Sequence, residues 1–110
     1  MEPMVDVLNR VGAALQSECG DEPIPSARIR EEVERIRGQK PGAGCPSDLC
    51  YNVMKDGMRF PNDPMFVQIG RGKYLYVGLN HSYTGPVMHS PQGGTSHQVG
   101  EWVAGRLRMF

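Results

Sequence analysis

The chain has 110 residues, enough for one domain with a modest core, and its 39% hydrophobic and 22% charged residues exclude a disordered chain. Twelve basic and twelve acidic side chains give a formal net charge of zero, which excludes an extended cationic clamp for nucleic acid. Residues 41–110 contain six of the basic and four of the acidic side chains, so a phosphate-binding surface would have to be local.

The sequence indicates a cytoplasmic protein. It lacks the run of about 18–20 apolar residues that a bilayer-spanning helix needs, and its acidic beginning differs from a secretory signal. Cys19, Cys45 and Cys50 are an odd and sparse set, which suits reduced thiols. Cys45 and Cys50 have no second pair of cysteines or histidines at zinc-binding spacing. We therefore expect no membrane contact, no metal and no cofactor.

Two helices are predicted in the N-terminal part of the chain. The first is expected over residues 3–17, because apolar residues recur there at helical spacing. The second begins at Ser26, a good N-cap residue, and ends at Gly38, a residue type that favours helix termination. The apolar residues that define these helices are Met4, Val5, Leu8, Val11 and Leu15, and then Ile29, Val33 and Ile36.

A third, shorter helix is predicted from Pro46 to Asp56, because Pro46 or Ser47 suits a helix start and Gly57 suits an end. Its predicted inward face carries Leu49, Cys50, Val53 and Met54. Its predicted outward face carries Ser47, Tyr51, Asn52 and Lys55. The helix would thus expose a surface rich in hydrogen-bonding groups.

A β-hairpin with a basic tip is predicted next. Two β-rich runs, Met65–Ile69 and Lys73–Gly78, flank the turn residues Gly70-Arg71-Gly72. Because side chains alternate along a strand, one face of the hairpin is expected to be buried and the other to carry exposed aromatic residues. The charge of Arg71 has two interpretations, which are contact with nucleic acid and protection of a sheet edge.

The segment after Gly78 is rich in turn-forming residues and contains all three histidines. A polar and aromatic cluster surrounds Gly85-Pro86 and consists of Asn80, His81, Tyr83 and His89. Such side chains can line a small pocket that reads a base by stacking and hydrogen bonding, or they can satisfy backbone groups of a loop. The C-terminus predicts a second hairpin with its turn near Ala104-Gly105.

Three helices followed by a hairpin, together with the pattern F-x-x-x-G-R-G-K-Y from Phe66 to Tyr74, resemble the HARE-type winged helix-turn-helix domains. The resemblance implies one α+β domain over residues 1–110, with a winged-helix core at about 4–78 and a β-rich extension at about 79–110. Ile24–Arg37 would be the first helix of the motif and Pro46–Asp56 the recognition helix. The chain also resembles short bacterial proteins of unassigned activity that carry the strings PSDLCYN, GRGKYLYVG and YTGP.

This resemblance implies non-catalytic binding of double-stranded DNA, as a regulator or as a reader of modified DNA, with a second copy or an effector protein as partner. Asn52 would suit pairing with adenine, and Arg71 would suit a narrow minor groove. The implied nucleic-acid-binding residues are Ser47, Tyr51, Asn52, Lys55 and Arg59 at the recognition helix, and Arg71 and Lys73 on the wing.

Two other functions remain open. The zero net charge favours a protein-interaction module, for which exposed hairpin tyrosines would be the anchors. The cluster at residues 80–89 favours a binder of a small ligand or nucleotide. An enzyme is not expected, because the sequence has no phosphate-binding loop, no nucleophile elbow and no paired carboxylates, and Cys50 is predicted to face inward.

Overall fold

A computed structural model describes residues 3–38, 46–54, 60–89 and 94–110. Within these residues the chain forms two α-helices, one short 3₁₀ helix and seven short strands. The helices are α1 (Met4–Cys19), α2 (Ser26–Arg37) and the 3₁₀ helix (Pro46–Leu49). The strands are β1 (Ile24–Pro25), β2 (Val53–Met54), β3 (Phe66–Gly70), β4 (Lys73–Tyr76), β5 (Gly85–His89), β6 (His97–Val103) and β7 (Arg106–Met109).

The first two predicted helices are confirmed, but Ser26 is the first residue of α2 and not its cap, which is Pro25. Helix α1 starts after Pro3, whose carbonyl accepts hydrogen bonds from the N–H groups of Asp6 and Val7. Helix α2 ends at Gly38, which has the left-handed φ of 72° and donates its N–H to the carbonyl of Glu34. This is the helix stop that the sequence predicts, since glycine adopts a positive φ without steric cost. Within the described residues, neither helix is long and apolar enough to cross a membrane.

The predicted hairpin around residue 71 is also confirmed. Strands β3 and β4 pair antiparallel, and β4 pairs with β1 to complete a sheet of order β1-β4-β3. The prediction that one face exposes aromatic residues is wrong, because Phe66 is 0% and Tyr74 5% exposed, and Tyr76 is half-buried. The rings of Tyr74 and Tyr76 each pack edge-on against that of Phe66, and all three contact the core beneath α1. The hairpin therefore has no exposed tyrosine to anchor a protein partner.

The main core lies between the two α-helices and this first sheet. Its members are apolar or aromatic and almost fully buried, and they include Leu8, Val11, Ile29 and Phe66. Gly12 lets α1 approach the sheet closely, because a Cβ atom there would overlap the Tyr76 ring. The absence of a side chain at this helical position thus serves the packing of α1 on the sheet.

The C-terminal half forms a second sheet of order β2-β5-β6-β7. Strand β2 is parallel to β5, and the other pairs are antiparallel. The predicted C-terminal hairpin is confirmed as β6 and β7. Its turn residues Ala104 and Gly105 have φ values of 49° and 82°, as a two-residue type I′ turn requires.

The winged-helix prediction is wrong, because a third α-helix does not form between Pro46 and Met54. The 3₁₀ helix ends at Leu49, Cys50 bridges to Phe66, and Val53 enters β2. The stripe of apolar residues that suggested a helix is instead buried by pairing with distant strands. A helix of eleven residues is marginal by itself, so this tertiary pairing determines the local structure.

Residues 49–54 connect the two sheets, and we call them the connecting segment. Toward the first sheet, the Met65 N–H donates to the Leu49 carbonyl and the Tyr51 N–H donates to the Phe66 carbonyl, both at 2.9 Å. Toward the second sheet, the Met88 N–H donates to the carbonyl of Asn52, also at 2.9 Å. The connecting segment is therefore fixed from both sides.

Candidate functional site

The turn of the first hairpin presents two cations on a rigid support. Arg71 and Lys73 are exposed, and Lys73 pairs with Pro25 of β1 and with Gly70 of β3. The Gly72 carbonyl accepts a hydrogen bond of 2.8 Å from the N–H of Ser26, so the turn is fixed against the first residue of α2. Among the residues that the structure describes, neither cation has an ion-pair partner.

Two arginines of α2, Arg28 and Arg35, differ from these two cations because acidic neighbours partly neutralise them. Arg28 lies 3.2 Å from Glu32 and 3.7 Å from Glu31, and Arg35 also bonds to Glu32. Hydrogen bonds from Arg35 and Arg28 hold the pKa of the Glu32 carboxyl below its usual value. Arg71 and Lys73 therefore differ from Arg28 and Arg35 in having no acidic partner among the described residues.

Of the residues predicted to read DNA from a third helix, those that the structure describes do not form an exposed surface. Tyr51 is 1% exposed, so the prediction that it faces outward is wrong. The Asn52 amide donates to the Gln68 carbonyl at 2.8 Å and accepts from the Gln68 N–H at 2.9 Å, and both of its polar groups are thus engaged. Ser47 is half-buried. Lys55 and Arg59 lie outside the described residues.

The buried Tyr51 ring is the centre of an aromatic cluster between the two sheets. Its ring centre lies 5.1 Å from that of Trp102, 5.3 Å from that of Tyr83 and 6.2 Å from that of His81. The Tyr51 hydroxyl donates to the Gly78 carbonyl at 2.7 Å and accepts from the His81 N–H at 3.0 Å. The indole N–H of Trp102 donates to the Tyr51 carbonyl at 2.9 Å. Burial raises the pKa of the Tyr51 and Tyr83 phenols.

A cleft of about 210 Å³ opens beside this cluster. Its lining comes from the connecting segment, the loops before β3 and after β4, and the C-terminal hairpin. The lining residues are Tyr51, Asp63, Pro64, Leu79, Asn80, His81, Trp102 and Gly105. The exposed side chains of Asp63, Asn80 and His81 make no hydrogen bond within the described part of the chain. The cleft thus combines the half-buried indole of Trp102, backed by the buried Tyr51 ring, with three polar side chains that make no hydrogen bond within the described residues.

The predicted cluster at residues 80–89 is brought to this cleft only in part. Asn80 and His81 line it, while Tyr83 packs on the Tyr51 ring. His89 belongs to β5, where its ring lies 5.6 Å from that of His97, and it is not a lining residue. The sequence does not indicate the role of Trp102 in this cluster. No local signal joins it to Tyr51, because 51 residues separate them in the chain.

No metal site emerges from the described ranges, and the cysteine predicted to face inward is buried. They contain no group of three or more histidine, cysteine, aspartate or glutamate side chains that could hold a metal ion. The prediction that Cys50 faces inward is confirmed, since it is 1% exposed and its Sγ donates to the Pro46 carbonyl at 3.3 Å. A buried thiol of this kind is a packing element.

Comparison with known proteins places the chain in a family. Residues 6–109 match the family model described as "Domain of unknown function (DUF7225)". The chain is 31% identical over 86 residues to the "Uncharacterized protein YnaC" of Bacillus subtilis (strain 168), a match that covers 77% of this chain and 32% of that protein. The match therefore spans about a third of its curated relative. No solved structure matches the chain. Since the family model covers nearly its whole length, the chain belongs to the DUF7225 family.

Proposed function

We propose that this chain is a non-catalytic nucleic-acid-binding domain, and that its first hairpin turn contacts the phosphate backbone of double-stranded DNA. The observation that carries the proposal is the pair of exposed cations, Arg71 and Lys73, on a turn hydrogen-bonded to the start of α2. Cations that have no acidic partner within the described part of the chain are available to phosphate, and a fixed backbone lowers the entropy that binding would cost.

Two further features support an anion at this position. The N-terminus of α2 carries the positive end of the helix dipole, and Ser26, its first residue, is bonded to the hairpin turn. Arg71 lies between two glycines, so no neighbouring side chain prevents close approach of a duplex. Contacts between these groups and the DNA phosphates would not depend on the base sequence, since phosphates carry no information about the bases.

Two cations make a weak contact on their own. Neutralising two phosphates gives a slope of about −2 in log affinity against log salt, which is roughly tenfold between 50 and 200 mM salt. Useful affinity would therefore require a second contact, supplied by a second copy of the chain or by an effector protein. A regulator and a reader of modified DNA would both work in this way.

The proposal is tested by fluorescence anisotropy with a labelled random duplex at about 50 and about 200 mM salt. The Arg71→Ala, Lys73→Ala double variant should lose most of the binding and most of the salt dependence. Arg106→Ala, Arg108→Ala is the matched control, because it removes two exposed arginines from β7. It should bind like the wild type.

Two results would overturn the proposal. Equal losses in both double variants would show that general charge matters and that the hairpin turn has no special role. The absence of binding at low salt by folded protein would eliminate DNA as the partner and move the search to proteins.

A further inference from the structure

We propose that the cleft beside Tyr51 and Trp102 binds a single planar, nitrogen-containing ring of the nucleobase class. This site is separate from the hairpin turn and needs no phosphate, so it goes beyond the proposed backbone contact. Its aromatic walls, unengaged polar rim, size and charge each support this class of ligand.

The two aromatic residues that line the cleft already have hydrogen-bond partners for their polar atoms. The Tyr51 hydroxyl makes two hydrogen bonds, and the Trp102 indole N–H makes one. The two rings meet edge-on at an interplanar angle of 70°, which fixes their orientation. The half-buried Trp102 therefore presents indole surface to the cleft with its N–H already bonded, and such a surface binds bases by stacking. Tyr51 is 1% exposed and supports the indole from behind.

The rim offers polar groups that are still unengaged within the described residues. Asp63 can accept hydrogen bonds, and the Asn80 amide can both donate and accept. Both residues adopt a positive φ, 44° for Asp63 and 58° for Asn80, which asparagine and aspartate tolerate better than most other residues. Backbone conformations of this kind concentrate at binding sites. A ring with donors and acceptors along its edge would satisfy these groups.

The size and the charge of the cleft narrow the class of ligand further. The cleft of about 210 Å³ is smaller than the roughly 300–1,000 Å³ of pockets for drug-sized ligands, so it suits one ring system with its edge substituents. Its lining contains the carboxylate of Asp63 and neither lysine nor arginine among the described residues. This charge disfavours a phosphate in the cleft and favours recognition of the base itself.

Trp102 is the only tryptophan of the chain and forms a wall of the cleft, so its fluorescence reports occupancy directly. Adenosine, guanosine, cytidine, uridine and thymidine are titrated separately, with inner-filter correction, and ribose and inorganic phosphate serve as ligand controls. We expect a saturable change with at least one nucleoside, at a Kd of about 1 mM or tighter.

Substitutions of two rim residues, Asn80 and His81, test whether their side chains contact the bound nucleoside. Asn80→Gly removes the amide and keeps a residue that tolerates the positive φ, and His81→Ala keeps the backbone N–H that bonds Tyr51. Each should weaken nucleoside binding by about threefold or more, the usual scale for one lost hydrogen bond or ring contact. His97→Ala, at an exposed histidine outside the lining, is the matched control and should bind normally.

A short single-stranded oligonucleotide that carries the preferred base distinguishes the two sources of the ring, which are a free nucleoside and a base within nucleic acid. Tighter binding of the oligonucleotide than of the nucleoside would support a base within nucleic acid, and equal binding would support a free nucleoside. The Arg71→Ala, Lys73→Ala variant should bind nucleosides normally, which separates this proposal from the backbone contact.

Three results would overturn the inference. The first is no saturable change with any nucleoside. The second is nucleoside binding that is unaffected by both Asn80→Gly and His81→Ala. The third is an equal response to ribose or inorganic phosphate.

Discussion

Replacement of Tyr51 by phenylalanine tests how strongly the aromatic cluster stabilises the junction of the two sheets. The change keeps the buried ring and removes only the hydroxyl, which donates to Gly78 at 2.7 Å and accepts from His81 at 3.0 Å. Each lost hydrogen bond costs about 1 kcal/mol net, so Tyr51→Phe should lower the free energy of unfolding by about 2 kcal/mol. For a domain of this size, that corresponds to a fall in Tm of roughly 8 °C.

Tyr83→Phe is the matched control for this prediction. The Tyr83 ring lies 5.3 Å from that of Tyr51, yet its hydroxyl makes no hydrogen bond within the described residues. Its replacement should change stability by less than about 0.5 kcal/mol. Urea unfolding followed by far-ultraviolet circular dichroism measures both variants. If the two substitutions destabilised the protein equally, the reasoning from the two hydrogen bonds would be refuted.

The remaining predictions concern the turn of the second hairpin and alkaline stability. Gly105→Ala should destabilise the protein by about 1–2 kcal/mol in the same urea assay, because φ is +82° and the new Cβ would lie 3.3 Å from backbone atoms of the loop after β4. Gly70→Ala, with nothing within 4 Å of the added Cβ, should change stability little, and an equal loss would contradict this account. Burial raises the pKa of three phenols above 10.0, those of Tyr51, Tyr76 and Tyr83. The folded state thus holds these protons more tightly than the unfolded chain. The contribution of the three neutral phenols to the free energy of unfolding should therefore be fully present below pH 10.0 and be lost as the pH rises through their folded pKa values. Phenolate absorbance and circular dichroism should then change together, and ionisation of all three phenols without loss of structure would contradict the prediction.

The elements that could be predicted from the sequence are those with local signals. The helix that ends at Gly38 and the hairpin that turns at Arg71 both follow from turn residues and side-chain periodicity. The same holds for the C-terminal turn at Ala104-Gly105. In each case the residues that specify the structure are neighbours in the chain.

The connecting segment could not be predicted because its partners are distant. Its apolar spacing fits one face of a helix, and it also fits a short strand whose residues pair on both sides. The choice depends on Val53 pairing with Met88 and on the bond from Trp102 to Tyr51. The candidate cleft could not be predicted for the same reason, since its lining comes from four separate parts of the chain.

The two-sided attachment of the connecting segment has a consequence for folding kinetics. Val53 cannot pair with Met88 before residue 88 has been synthesised. In the same way, the hydrogen bond from the Trp102 indole N–H to the Tyr51 carbonyl cannot form before residue 102 has been synthesised. Pairings across such distances must overcome loop-closure entropy, which makes them slower than the formation of α1 or α2. Residues 51–54 can therefore extend the helical turn at Pro46–Leu49 on the ribosome until β5 is synthesised and Val53–Met54 pair with it.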